Sequence, residues 1–164
     1  MRLPLAALLT LLALPAFGET GRSGVWTYVY EPSSSGPGGL FTALSPAPAA
    51  DHNDPSQIVA RCYGGRPEFL VGGAGGWGMP RRTLAVTISI DGGPPQTSRW
   101  DVSTNGRAVF LDDGVEAFLK RLPDDGELRV EVVDAVGQTR ANRFATKGFA
   151  AVRARLAQAC GWKD

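Results

Sequence analysis

Residues 83–91 read Thr83-Leu84-Ala85-Val86-Thr87-Ile88-Ser89-Ile90-Asp91, with Leu84, Val86, Ile88 and Ile90 alternating with Thr83, Ala85, Thr87 and Ser89. A period of two sends the four aliphatic side chains to one face of an extended chain, so this stretch is a strand with one buried face. Asp91-Gly92-Gly93-Pro94-Pro95 stops it, and Thr97 to Ser103 returns with Trp100 and Val102 on the apolar side. The alternation recurs in both directions. Upstream it marks Val25 to Tyr30, a short stretch Phe41 to Leu44, Gln57 to Tyr63 with Ile58, Ala60 and Cys62 on one face, and Pro67 to Val71 after the hairpin cue Gly64-Gly65. Downstream it marks Arg107 to Leu111 after Asn105-Gly106, Glu127 to Val133, and Arg140 to Thr146 across Val136-Gly137.

Two segments change period. Val115, Phe118, Leu119 and Leu122 fall at helical spacing and stop at Pro123, while Phe149, Val152, Leu156 and Cys160 form one stripe of a terminal helix. About eight short strands punctuated by Gly and Pro predict a mainly β protein: an antiparallel β-sandwich with a short helix before the penultimate strands and a C-terminal helix. No regular alternation of strand and helix supports a parallel sheet.

The chain has 164 residues and begins with Arg2, an apolar run from Leu3 to Ala13 broken by Pro4 and Thr10, then Leu14-Pro15-Ala16-Phe17-Gly18. Small residues at Ala16 and Gly18 suit signal peptidase, so residues 1–18 are expected as a leader cleaved between Gly18 and Glu19. The run falls short of the ~20 apolar residues of a spanning helix, and no later segment approaches that length, so the mature form is expected to have no membrane span. Removing 18 of 164 residues leaves 146, enough for one core: a flexible lead-in over 19–24 and a single β-rich domain over 25–164. Lys and Arg number 17 against 16 Asp and Glu, and loss of Arg2 balances them. Zero net charge argues against a nucleic-acid partner.

Cys62 and Cys160 are the only cysteines and lie 98 positions apart. In an exported protein an even pair reads as a disulfide, and the strand and helix patterns put both cysteines on protein-facing sides. A loop of this length makes the bridge worth about 4–5 kcal/mol in the chain-entropy model. The alternatives are a nucleophilic thiol served by His52, the single histidine, or a zinc site, for which two Cys and one His lack the close ligand spacing.

Four constellations could carry chemistry. Asp51-His52-Asn53-Asp54 offers oxygen and imidazole ligands but lacks the alternate spacing and distal Glu of a calcium loop, so it reads as a solvated turn. Gly72-Gly73-Ala74-Gly75-Gly76-Trp77-Gly78 is followed by Met79-Pro80, without the Lys and Ser or Thr of a phosphate loop. It is expected to be a hairpin loop, with Trp77, Arg81 and Arg82 as a candidate partner-binding set; the bland alternative folds Trp77 back onto the sandwich end. Asp112-Asp113 and Asp124-Asp125 each stand before Gly and a regular element, which capping and turns explain without acid–base work. Arg61, Arg99 and Arg129 fall on outward strand positions, where ion pairs along a solvated face are the default and a surface for an acidic partner is the alternative.

A Trp-led first strand, Cys62 at a strand end, Trp100-Asp101-Val102-Ser103, the helix ending Phe118-Leu119-Lys120-Arg121-Leu122, Phe144 before Gly148, and the closing Cys160-Gly161-Trp162 follow in an order that resembles the VasI/TagO family of type VI secretion-associated periplasmic proteins. The likeness runs from about Trp26 to Trp162 and departs at the Ser/Gly/Pro-rich insert after the first strand and at the glycine-dense loop. It implies a β-rich accessory domain with a Cys62–Cys160 disulfide, tied to a cell-envelope secretion machine by protein contacts. No catalytic residues come with it.

The expectation is therefore an exported, periplasmic or secreted, non-catalytic interaction protein of the bacterial envelope, associated with type VI secretion, binding envelope proteins and using no cofactor or metal. The alternative is a small secreted hydrolase using carboxylates or a loop-bound cation.

Overall fold

The computed structural model describes residues 18–33, 39–80 and 82–163. The expected leader up to residue 17, and Arg81, lie outside the described residues. Ten strands follow in order: β1 (Glu19–Ser23), β2 (Trp26–Pro32), β3 (Gly39–Pro46), β4 (Pro55–Tyr63), β5 (Arg66–Gly73), β6 (Thr83–Ile90), β7 (Gln96–Val102), β8 (Ala108–Leu111), β9 (Glu127–Val133) and β10 (Thr139–Ala145). Helix α1 (Val115–Arg121) lies between β8 and β9, and α2 (Phe149–Cys160) closes the chain. All pairings are antiparallel, in one sheet of order β1-β2-β3-β4-β5-β8-β7-β6-β9-β10.

The mainly β, antiparallel fold with its two helices is thus as expected. The sheet has ten strands against about eight expected, the nine alternating runs of the sequence and one more, and the two layers belong to one sheet that folds over, bringing β9 and β10 against β4. The join is the β5–β8 pairing, Leu70 opposite Phe110 and Val71 opposite Val109, which no hairpin cue announces. The tenth strand is β1: residues expected as a flexible lead-in pair with β2 from Glu19–Tyr30 to Ser23–Trp26.

Strand alternation places Trp26, Phe41, Ile58, Ala60, Cys62, Phe69, Val86, Trp100, Val130 and Phe144 in one buried core. Across it, Tyr28, Ala43, Ala60 and Phe69 stand opposite one another on successive strands. The two alanines leave room over β3 and β4, the strands on which α2 packs. Phe149, Val152 and Leu156 form the buried stripe of α2, and Phe149 lies 5.0 Å from Trp26 between ring centroids. Each fully buried aliphatic or aromatic side chain of this kind contributes roughly 1.5–3 kcal/mol.

Helix α2 is held at both ends. The Ala150 N–H donates to the Asp124 carboxylate at 2.6 Å, satisfying a first-turn donor. At the other end Cys160 is bonded to Cys62 of β4, S–S 2.08 Å and Cα–Cα 5.6 Å, which bears out the expected disulfide. Helix α1, in contrast, takes no side-chain cap: Gly114 is its N-cap, and Asp112 and Asp113 remain exposed rather than capping it.

The fold closes along a seam between the β1–β2 turn and the link from β10 to α2. The Val25 N–H donates to the Lys147 carbonyl at 3.0 Å, the Ser23 hydroxyl to the Gly148 carbonyl at 2.8 Å, and the Trp26 indole to the Thr146 carbonyl at 3.3 Å.

Candidate functional site

The glycine-dense loop between β5 and β6 does not present Trp77 to a partner. Its side chain is 1% exposed and belongs to the core. The indole N–H donates to the Asn53 carbonyl at 2.6 Å, the backbone N–H to the Gly106 carbonyl at 2.8 Å, and the backbone carbonyl accepts from the Ala135 N–H at 2.6 Å. One residue thereby pins three separate turns. The indole lies on one glycine of the loop: a Cβ at Gly73 would stand 2.5 Å from the Trp77 ring.

The pinned loop forms one wall of an open groove of about 340 Å³, lined among others by Met79, Arg82, Ala85, Arg99, Val133 and Asp134. Register explains its shape. Ala85 of β6 stands between Arg99 of β7 and Val133 of β9 on the outer face of the sheet. A small side chain between two larger ones makes a trough. Met79 is 70% exposed and Val133 36% exposed, so the groove carries apolar surface in solvent. Arg82 is exposed, and its backbone is tied down by Val102 N–H donating to its carbonyl at 2.9 Å.

The charges do not cancel. Arg99 donates from Nε to the Thr83 hydroxyl and from Nη2 to the Thr83 carbonyl, both at 3.0 Å, so its guanidinium is positioned by neutral groups. Among the described residues neither Arg82 nor Arg99 pairs with a carboxylate. Asp134, the acid lining the groove, is already used: it accepts from the Val136 N–H at 3.1 Å, the Gln138 N–H at 2.8 Å and Arg140 at 3.3 Å, with its side chain 8% exposed. Burial alone would raise its carboxyl, but the Gln138 N–H, the Arg140 guanidinium and the Val136 N–H outweigh that and hold it below its ordinary 3.8.

The other sequence-selected arginines behave differently. Arg61 is opposite Glu68 across β4 and β5 and bonds it at 2.5 Å, and Arg129 bonds Glu131 along β9 at 2.6 Å. Arg99 is the one of the three whose cross-strand neighbour on β6 is an alanine.

The remaining candidates stay apart. His52 is exposed in the turn whose Asp54 N–H donates to the Asp51 carbonyl at 3.0 Å. Asp124 caps α2, while Asp112, Asp113 and Asp125 are exposed. Among the described residues no three His, Cys, Asp or Glu side chains sit together as a metal site would require. No helix among the described residues is long and apolar enough to cross a membrane. Of the expected cleavage pair, Gly18 precedes β1 and Glu19 is its first residue, bonding Arg155 of α2 at 2.8 Å.

No protein-family model and no curated protein matches the chain. Among solved structures it is similar to invasion associated protein B from Bartonella henselae, at 11% sequence identity and a TM-score of 0.48, over 84% of this chain and 94% of that one.

Proposed function

We propose that this chain is an exported accessory protein of the bacterial cell envelope that acts by binding another protein rather than by catalysis. The observation that carries the reading is the groove over Ala85, where two arginines without carboxylate partners among the described residues stand beside solvent-exposed Met79 and Val133. Exposed apolar side chains interleaved with Arg are the composition of protein-binding surfaces. The Cys62–Cys160 disulfide supports a location outside the reducing cytoplasm, periplasmic or secreted, as does the leader-like N-terminus. The resemblance to VasI/TagO proteins makes a type VI secretion apparatus the machine in which the partner is to be sought first.

The test is photo-crosslinking in the producing bacterium, with a benzophenone amino acid replacing Met79 and, as control, exposed Ala117 on α1. The expected result is one envelope protein joined at position 79 and not at 117. An absence of adducts at both positions, with the protein correctly exported, overturns the reading.

A further inference from the structure

We infer that the groove over Ala85 receives an acidic, extended segment of the partner protein, its carboxylates meeting Arg82 and Arg99 and an apolar side chain lying between Arg99 and Val133. This rests on the binding reading above and specifies the chemistry of the occupant.

Charge comes first. Two guanidiniums face a groove whose lining acid is committed to Arg140 and to its own turn. Asp101, two residues from Arg99 on the same face of β7, forms no ion pair with it. Arg99 spends donors on Thr83 and keeps further N–H groups, and Arg82 has the whole of its guanidinium, so both can take a carboxylate through two parallel bonds.

Shape and polarity then select among anions. A free phosphate or a headgroup is suited by a small concavity of converging N–H donors. Here the trough is open, runs across three strands, and is bounded by Met79, Val133 and Ala135, which offer nothing to a polyanion and a good surface to an aliphatic side chain. Of the strands beneath it, β6 and β9 are paired on both sides within the sheet, and β7 pairs with β6 along its length and with β8 over Trp100–Val102, so a segment over Ala85 lies on the face and is recognised by side chains. Trp77 acts as a positioning residue: through its bonds to Gly106, Ala135 and Asn53 it fixes the loop that carries Met79 and the turn that carries Ala135.

The experiment uses the full mature protein and a fluorescein-labelled octapeptide of alternating Asp and Leu, read by fluorescence anisotropy. The same peptide with Asn for Asp, inorganic phosphate as competitor, and the protein alone in sedimentation complete the set. The expected result is saturable binding that weakens by about ten-fold or more with the Asn peptide and with Arg82→Ala/Arg99→Ala, but not with Arg66→Ala, an exposed arginine in the β4–β5 hairpin. Arg82→Glu/Arg99→Glu should lose the Asp peptide and gain its Lys counterpart, an outcome that misfolding cannot produce. Equal binding of the Asp and Asn peptides, or no binding of either, overturns the acidic-segment inference; adducts at Met79 would then still leave the binding reading standing. Displacement of the peptide by millimolar phosphate would assign the groove to small anions instead. Concentration-dependent dimers abolished by Arg82→Ala/Arg99→Ala would assign it to a second copy, and either result overturns the proposal.

Discussion

The indole of Trp77 donates to the main-chain carbonyl of Asn53 at 2.6 Å, joining the loop after β5 to the turn before β4. This contact decides how the groove responds to mutation. Trp77→Phe keeps most of the buried ring and loses the hydrogen bond, so it should lower stability by about 1 kcal/mol. Trp77→Ala empties a fully packed site and should cost about 3–5 kcal/mol. Urea unfolding measures both. Because Arg82 and Arg99 are untouched, weaker binding of the acidic peptide by Trp77→Phe at a temperature where the protein stays folded would report loop position alone.

The disulfide fastens α2 to β4 across 98 residues of chain. Purified without reductant, the protein should show no free thiol. The paired change Cys62→Ala/Cys160→Ala should lower unfolding free energy by about 4–5 kcal/mol if loop closure in the unfolded chain is the main effect. Cys62 is fully buried beneath the helix, so the same variant should also expose α2 to hydrogen exchange before the sheet strands. Two free thiols in the native protein would contradict the bridge.

Glu19 bonds Arg155 at 2.8 Å, and the Arg155 guanidinium stands 4.7 Å from the Tyr28 ring centroid. The hydrogen bond from Arg155 is the largest influence; together with the Arg155 charge and the Tyr28 hydroxyl it outweighs the opposing effect of burial and holds the Glu19 carboxyl below its ordinary 4.5. A carboxyl depressed in the folded state favours folding above its unfolded value. Its contribution is therefore complete above pH 4.5 and lost as pH falls through the lower folded value. Thermal melts from neutral to acid pH should show this loss in the native chain, and Glu19→Gln should remove that part of the acid sensitivity while leaving the profile above it unchanged.

The elements most readable from sequence are those with strict periodicity. Leu84, Val86 and Ile88 of β6 and Phe149, Val152 and Leu156 of α2 are buried as their spacing states, with Ile90 and Cys160 partly buried at the ends, and α2 spans the expected residues, Phe149–Cys160. β1 escapes such a reading because Glu19-Thr20-Gly21-Arg22-Ser23 has no apolar alternation; backbone pairing to β2 and the Glu19–Arg155 bond hold it. Trp77 is ambiguous along the chain for a physical reason. Glycines beside an aromatic suit an exposed tip and also a backbone on which a ring must lie, and only the three-dimensional contact with Gly73 separates them. The groove arginine is hidden similarly. Arg61, Arg99 and Arg129 look alike along the chain, and it takes strand register to put Glu68 opposite Arg61 but Ala85 opposite Arg99.

The seam that closes the fold rests on two glycines in contact. Gly148 has φ 88°, and a Cβ there would stand 2.4 Å from the Ser23 carbonyl carbon and oxygen; Gly24, with φ 56°, faces the Lys147 carbonyl in the same way. Two costs should therefore add in Gly148→Ala: about 1–2 kcal/mol for a left-handed conformation in a residue with a side chain, and the separation of the β1–β2 turn from the link to α2. Gly137, in the β9–β10 turn, isolates the first cost, since it has φ 82° and a Cβ added there would meet nothing within 4 Å. Gly137→Ala should lose only that conformational share, while Gly148→Ala should lose clearly more and expose the Val25 N–H, whose partner is the Lys147 carbonyl, to rapid exchange. Equal losses in the two variants would mean that the seam adds nothing to stability and that the sheet is held by its core and disulfide alone.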